Sequence, residues 1–293
     1  MSGVSRGHLA MLVFSALVAG SFSLGSLAAN HIAPVALNAV RFVLAAAVIG
    51  GVALAWGGVP RAAFRAPWRY LVLGGLFGFY FVMMFEGLKT APPVSASAVF
   101  TLTPLMAAGF GYLLLRQHMT GRMALAMFCG AVGALWVIFR ADLGALMAFE
   151  VGRGEVIYFI GCAAHALYAP MVRMLNRGEN AVVFAFGTML GGAVTLMGWG
   201  WQEVVATDWP GLPAIVWITL VYTAVFASAA TTVLLQFAAL HLPSSKVMAY
   251  TYLTPTWVIG WEFFLGNGLP GPLVVIGVAL TAVALLLLLK NEH

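Results

Sequence analysis

Ten apolar segments, each about long enough to cross a lipid bilayer, follow one another along the chain with only short connections between them. A spanning helix needs about 20 residues, so ten such helices use roughly 200 of the 293 residues and leave no room for a separate soluble domain. We number the segments spans 1 to 10 in chain order: 8–29, 34–56, 68–87, 93–115, 121–140, 154–175, 180–200, 212–236, 244–265 and 271–290. The pattern predicts an all-α integral membrane protein.

The composition excludes several classes of function. Only 8% of the residues are charged, whereas a soluble domain carries about 25%. The sequence contains no GxxxxGK[ST] phosphate-binding loop, which excludes ATP-driven transport by this chain alone. The basic residues are scattered, so nucleic acid is not expected as a partner. Cys129 and Cys162 lie inside apolar segments and predict neither a metal site nor a disulfide.

The basic residues predict which way the spans point. With the N-terminus inside, ten bases fall on the cytoplasmic side: Arg6, Arg61, Arg65, Arg69, Arg116, Arg122, Arg173, Arg177, Lys246 and Lys290. Three fall on the opposite side, at Lys89, Arg140 and Arg153, and Arg41 lies within span 2. This excess of inside positive charge in short loops predicts that both termini are cytoplasmic. Such a multi-pass protein fits a bacterial inner (plasma) membrane.

An internal repeat divides the chain into two halves. The segments Pro92–Pro104 and Pro243–Pro255 share five of thirteen residues at an offset of 151, and each begins the fourth span of a half. Because five spans is an odd number, the second half enters the membrane from the opposite side, and we expect inverted repeats. The predicted first repeat is 1–140, the extracytoplasmic connection 141–153, and the second repeat 154–293.

Three prolines lie inside predicted spans. Pro104 and Pro255 occupy matching positions in spans 4 and 9, and Pro170 lies late in span 6. A proline removes a backbone hydrogen bond and kinks a helix. Matched kinks suggest hinge or gate elements; static packing kinks are the alternative.

Three stretches carry a family resemblance: GSFSLGSLAANHIAPVALNAVRFVLAAAV, LKTAPPVSASAVFTLTPLMAAGFGYLLLRQ and LPSSKVMAYTYLTPTWVIGWEFFLGN. They resemble the EamA branch of the drug/metabolite transporter superfamily, and within it the exporters of aromatic amino acids. The resemblance implies ten helices in a five-plus-five inverted repeat, which the span count reaches independently. The chain departs from the family pattern at Gln117 and Asn267, where glutamate is usual, and at His165, where tryptophan is frequent.

Span 6 carries an ionisable side chain close to the predicted midplane. His165 lies eleven residues into the span, and Tyr158 and Tyr168 project to the same side of the helix. His165 is predicted either to bind substrate or titrate during transport, or to be a neutral imidazole bonded to a helix carbonyl.

Polar and aromatic stripes on six spans predict one shared cavity, with ordinary helix packing as the alternative for any single stripe. Span 8, for example, carries Ser228, Thr232 and Gln236 at steps of four. The predicted substrate-binding residues are Tyr80, Ser97, Thr101, Tyr158, His165, Tyr168, Thr232, Tyr250, Thr254 and Trp257. Arg41 is predicted either to meet a substrate carboxylate or to hold backbone carbonyls.

The inferred cavity is aromatic, hydroxylated and almost uncharged, which suits a small amphipathic or zwitterionic solute. We therefore expect a secondary transporter or facilitator that exports neutral, chiefly aromatic, amino acids and related hydrophobic metabolites by alternating access. The alternative is a multidrug or lipophilic-cation efflux transporter coupled to protons. No Asp or Glu is predicted deep in a span, which argues against a carboxylate proton relay. An enzyme built on His165 and a serine of span 1 is not expected, and neither is a cofactor.

Overall fold

The computed structural model describes residues 3–118, 120–148 and 150–289, and within them the regular structure is entirely helical. The α-helices are α1 Gly3–Ala28, α2 Pro34–Ala55, α3 Trp68–Gly87, α4 Pro93–Phe100, α5 Thr103–Leu115, α6 Gly121–Ile138, α7 Leu143–Met147, α8 Arg153–Leu175, α9 Ala181–Ala206, α10 Ala214–Ala224, α11 Thr231–His241, α12 Ser244–Ala249, α13 Thr254–Phe264 and α14 Pro272–Leu289. Lys290, one of the ten predicted cytoplasmic bases, lies outside the described residues.

Eight helical stretches of the described chain are long and apolar enough to cross a membrane, and shorter apolar helices accompany them. Two of the eight are composite: Pro93–Leu115 contains α4 and α5, and Ala214–His241 contains α10 and α11. The chain is thus an all-helical membrane protein. Predicted span 9 is present as the short helices α12 and α13 rather than as one continuous helix.

Two helix breaks occur where the sequence repeats. Between α4 and α5 the chain turns at Thr101, and between α12 and α13 it forms the 3-10 turn Tyr250–Leu253. Pro104 and Pro255 stand in the first turn of α5 and α13, where the N–H that proline lacks would have no intrahelical acceptor. Each proline therefore begins a new helical segment instead of kinking a continuous one. Pro170 lies inside the unbroken helix α8.

The packing partners of the first half recur in the second half. In the first half, α3 forms the third span and packs against α8, the first span of the second half. In the second half, α10 and α11 form the third span and pack against α1, the first span of the first half. The fourth spans behave in the same way, because α5 contacts α8 and α13 contacts α1. Two further pairs, α2 with α9 and α6 with α14, join corresponding helices of the two halves. These pairings are therefore the same when the halves are exchanged.

Close helix contact fixes the position of α3. Gly74 of α3 faces the backbone of Gly192 and Thr188 in α9, and a Cβ atom at Gly74 would collide with that backbone. The close approach places the aromatic face of α3, which includes Phe77, Tyr80 and Phe81, in the buried interior. The candidate site lies on this face.

Candidate functional site

A stack of aromatic rings surrounds His165 in the interior. The imidazole is 1% exposed, and its ring centroid lies 4.4 Å from that of Tyr80, 5.3 Å from Phe100 and 5.6 Å from Phe77. The Tyr80 and Phe77 rings lie within 24° of the imidazole plane. Phe14 of α1 stacks on it from 6.5 Å. Helices α1, α3, α4 and α8 thus supply one aromatic cluster around a single polar ring.

Both ring nitrogens of His165 lack a hydrogen-bond partner in the described chain. Leaving a buried polar group unpaired costs about 1–3 kcal/mol. The expected alternative, an imidazole bonded to a helix carbonyl, is therefore wrong. The neutral imidazole therefore has one unused donor and one unused acceptor. We call the imidazole and the four rings around it, those of Phe14, Phe77, Tyr80 and Phe100, the aromatic slot.

Tyrosine hydroxyls form two short networks beside the stack. Tyr80 and Tyr158 share a hydrogen bond of 3.0 Å. Gln236 donates from Nε2 to the Tyr168 hydroxyl at 2.8 Å and to Thr188 Oγ1 at 2.9 Å. Its Oε1 atom has no partner in the described chain. Tyr80, Tyr158, His165 and Tyr168 are therefore brought together as the sequence suggested, with Gln236 as an additional polar member.

The other predicted binding residues are placed differently. Ser97 and Thr101 donate to carbonyls of their own helical turn, at Val94 and Ala98. Thr232 is buried and contacts Met189 Sδ at 3.9 Å, and the Thr254 hydroxyl is buried without a partner in the described residues.

Tyr250 and Trp257 both hydrogen-bond residues of α1. Tyr250 hydrogen-bonds His8 Nδ1 near the start of α1 at 3.1 Å. Trp257 is 41% exposed and donates to Ser15 Oγ at 3.2 Å. The 3-10 turn before α13 interrupts the helical period on which their common stripe was predicted.

Arg41 is fully buried at the edge of the aromatic cluster. Its Nε donates to Ser228 Oγ at 2.7 Å, its Nη1 to Asn38 Oδ1 at 3.3 Å and its Nη2 to the Ala227 carbonyl at 3.1 Å. The guanidinium carbon lies 3.6 Å from the centroid of Phe81. Ser228 and Ala227 belong to a π-helical turn, Val225–Ala230, an interruption of regular helix that recurs at functional sites.

A second buried arginine, Arg69, ties the start of α3 to the loop between α8 and α9. It donates to Glu179 Oε1 and to the Leu175 carbonyl, both at 2.6 Å, and to the carbonyls of Ala63 and Ala66. Burial disfavours ionisation of Glu179, but hydrogen bonds from Arg69 and from the Arg177 N–H outweigh that effect and lower the pKa of Glu179 below 4.5. The ion pair is therefore a structural clamp.

A buried carboxylate also lies at the start of α8. Glu155 is 5% exposed and accepts a hydrogen bond of 2.7 Å from Ser95 at the start of α4. It borders a pocket of about 290 Å³ whose other residues include Val99 and Phe159. Hydropathy assigns Glu155 to the span boundary and gives no sign of this burial.

Several residues of the site were not predicted. Phe77, Phe100 and Phe14 form the walls of the histidine slot, and Asn38 supports Arg41. Asn38 and Arg41 lie three residues apart on α2, a spacing that predicts contact between polar neighbours. The sequence does not show which phenylalanines of a membrane span face the interior, because this side chain packs equally well against lipid.

Comparison with known proteins agrees with the fold and the membrane setting. The EamA-like transporter family matches the chain twice, at residues 5–139 and 152–290. The chain is 26% identical to the uncharacterized transporter YyaM of Bacillus subtilis over 263 residues, which cover 89% of this chain and 86% of that one. It is 32% identical to the aromatic amino acid exporter YddG of Ancylobacter novellus over 182 residues, 61% of each chain.

A solved crystal structure of a protein 23% identical in sequence has a TM-score of 0.73 and covers 98% of this chain and 96% of its own. That similarity supports the fold. The two family matches together span most of the chain, and the family consists of transporters rather than enzymes. The chain therefore belongs to the EamA-like transporter family, within the drug/metabolite transporter superfamily.

Proposed function

We propose that the chain is a secondary transporter that exports neutral, chiefly aromatic, amino acids and related hydrophobic metabolites across a bacterial inner membrane. The observation that carries the proposal is the slot around His165. A substrate ring that replaces one of the stacked side chains keeps the aromatic contacts, and its polar groups supply partners for the unpaired imidazole nitrogens. The relative named as an aromatic amino acid exporter supports the same substrate class.

The proposed mechanism is alternating access between two inverted repeats, 1–140 and 154–293, joined by 141–153, with both termini cytoplasmic. The exchangeable contact pattern supports the repeat, and the odd number of spans in each half supports its inversion. The aromatic rings pack directly on one another, so a substrate enters only when α1, α3, α4 and α8 separate. The helix breaks at Pro104 and Pro255 are the proposed hinges, and Pro170 in α8 is a further candidate.

Efflux of lipophilic cations is the less favoured function. An aromatic cluster suits a cation through cation–π contacts. The buried guanidinium of Arg41, however, lies on Phe81, whose ring contacts Tyr80 at 4.7 Å. A positive charge so close to the slot repels a cationic substrate and favours a solute that carries a negative group.

Flux measurements in proteoliposomes test the proposal. Purified full-length protein should give saturable flux of L-phenylalanine and L-tryptophan, with slower flux of L-leucine. The substitution His165→Asn should reduce that flux, whereas the matched control His31→Asn, in the exposed turn between α1 and α2, should leave it unchanged. Absence of saturable amino acid flux would overturn the proposal. Adding a pH gradient distinguishes uniport from proton coupling, because only coupled flux responds to the gradient. If the imidazole carries the proton, His165→Asn should abolish that response.

A further inference from the structure

Arg41 is a buried cation without a carboxylate partner. Among the described residues the ion pairs are Arg69 with Glu179 and Lys89 with Glu86, and neither involves Arg41. Its partners are a hydroxyl, an amide oxygen and a backbone carbonyl. A charge buried in this way is costly unless an opposite charge completes its surroundings.

The guanidinium also retains donor capacity. It has five N–H groups, and three of them donate, one each from Nε, Nη1 and Nη2. One N–H on each terminal nitrogen therefore has no acceptor in the described part of the chain. Two N–H groups on neighbouring nitrogens match the two oxygens of a carboxylate, which arginine binds in a bidentate manner.

The surroundings hold this donor pair in place. Ser228 and Ala227 anchor it from the π-helical turn, and Phe81 covers one face of the guanidinium at 3.6 Å. Asn38 is itself fixed, because its Nδ2 donates to the Pro34 carbonyl at 2.8 Å. Such preorganised donors lose little freedom when a ligand binds.

The arginine adjoins the aromatic slot. The Phe81 ring beneath the guanidinium contacts Phe77 at 4.8 Å and Tyr80 at 4.7 Å, and both of these rings stack on His165. A single ring therefore separates the unused donors of Arg41 from the slot. A ligand that contacts both must therefore carry its carboxylate within a few bonds of its aromatic group.

We infer that Arg41, held by Asn38 and the π-helical turn, is a carboxylate-binding subsite that restricts the substrates to amphipathic carboxylates, both amino acids and monocarboxylates. The inference rests on the proposed function and names its substrate class. It requires that the carboxylate rather than the α-amino group governs recognition, so 3-phenylpropionate should bind and phenethylamine should not.

Ligand-dependent thermal stability of the purified full chain in detergent tests the inference without transport. We expect L-phenylalanine and 3-phenylpropionate to raise the unfolding temperature at concentrations at least about 10-fold lower than L-phenylalaninamide or phenethylamine, because bonds to charged groups are the stronger ones. Arg41→Gln should remove this difference. The control Arg65→Gln, at an exposed position before α3, should preserve it.

Each outcome is decisive. Equal stabilisation by the acid and the amine, or no stabilisation by either, overturns the inference. If Arg41→Gln does not fold, the ligand series in the unmodified protein still tests the inference. Arg41→Lys keeps the positive charge but loses the paired N–H groups of the guanidinium, so its preference for the carboxylates over the amine should be weaker. Failure of the proposed function has a different signature, the absence of saturable amino acid flux in liposomes while carboxylates still stabilise the protein.

Discussion

The two buried arginines of the molecule have different partners. Arg69 uses four of its five N–H groups, and one of its acceptors is the Glu179 carboxylate at 2.6 Å. Arg41 uses three N–H groups, all on neutral acceptors. Both guanidinium groups lie near aromatic rings, Arg69 at 5.1 Å from Tyr70 and Arg41 at 3.6 Å from Phe81. Among the described residues, Arg69 has a carboxylate partner and Arg41 has none.

This difference separates a structural role from a binding role. A completed ion pair with several carbonyl acceptors joins helices and stabilises one arrangement of them. An arginine with spare donors and no anion is stabilised further by a ligand that brings the missing charge. The same contrast holds between the satisfied Tyr80–Tyr158 hydroxyl pair and the unpaired nitrogens of His165.

The largest expected effect is at the clamp. Arg69→Gln leaves Glu179, whose side chain is 7% exposed, without its partner, and breaking a buried pair from one side costs about 3–5 kcal/mol. We expect the free energy of unfolding, measured by denaturant titration in detergent, to fall by about that amount. Arg65→Gln removes an exposed charge nearby and should change it little. Equal losses in the two variants would contradict the clamp.

Acidification should release the same clamp. The pKa of Glu179 is lowered in the folded protein, so the pair contributes fully above the ordinary carboxyl value of 4.5 and is lost as the pH falls through the lower folded value. We expect the unfolding temperature of the wild type to fall over that acidic range. Glu179→Gln should be less stable near neutrality, and the difference between the two proteins should shrink on acidification. A constant difference would disprove this role of Glu179.

A smaller effect of opposite sign is expected in the aromatic slot. His165→Phe replaces an imidazole with two unpaired nitrogens by an apolar ring among Tyr80, Phe77 and Phe100. Removing those unpaired groups should raise the free energy of unfolding by about 1 kcal/mol while it lowers amino acid flux. A loss of stability with unchanged flux would mean that the histidine is a packing residue.

The smallest effect on stability is expected at Arg41. Arg41→Gln removes three hydrogen bonds to neutral groups but also relieves a buried charge, so the two contributions largely offset each other and the net change should stay within about 1 kcal/mol. Denaturant titration beside Arg69→Gln gives the direct comparison. If Arg41→Gln destabilised the protein as much as Arg69→Gln does, the distinction between the two arginines would fail.

The sequence predicts local features of this molecule well. Most spans follow from hydropathy, which depends only on neighbouring residues, and the matched prolines mark the helix breaks at Thr101 and Tyr250–Leu253. The π-helical turn has no comparable signal. Its serine is 187 residues from Arg41 in sequence, so only the folded chain shows that the two side chains meet.

The candidate site was predictable in part for the same reason. Tyr158, His165 and Tyr168 share one helix, and helical spacing alone brings them to one face. The prediction for Trp257 assumes one continuous helix, whereas the 3-10 turn Tyr250–Leu253 interrupts that helix before α13. The phenylalanines that enclose His165 come from three other helices and acquire their role only through packing.

The role of Arg41 in substrate binding can be measured by calorimetric titration of L-tryptophan into the wild type, Arg41→Gln and Arg65→Gln. We expect saturable binding to the wild type and to Arg65→Gln, and a dissociation constant at least about 10-fold higher for Arg41→Gln, because the charged hydrogen bonds to the carboxylate are lost. Equal dissociation constants in all three proteins would show that Arg41 does not bind the substrate carboxylate.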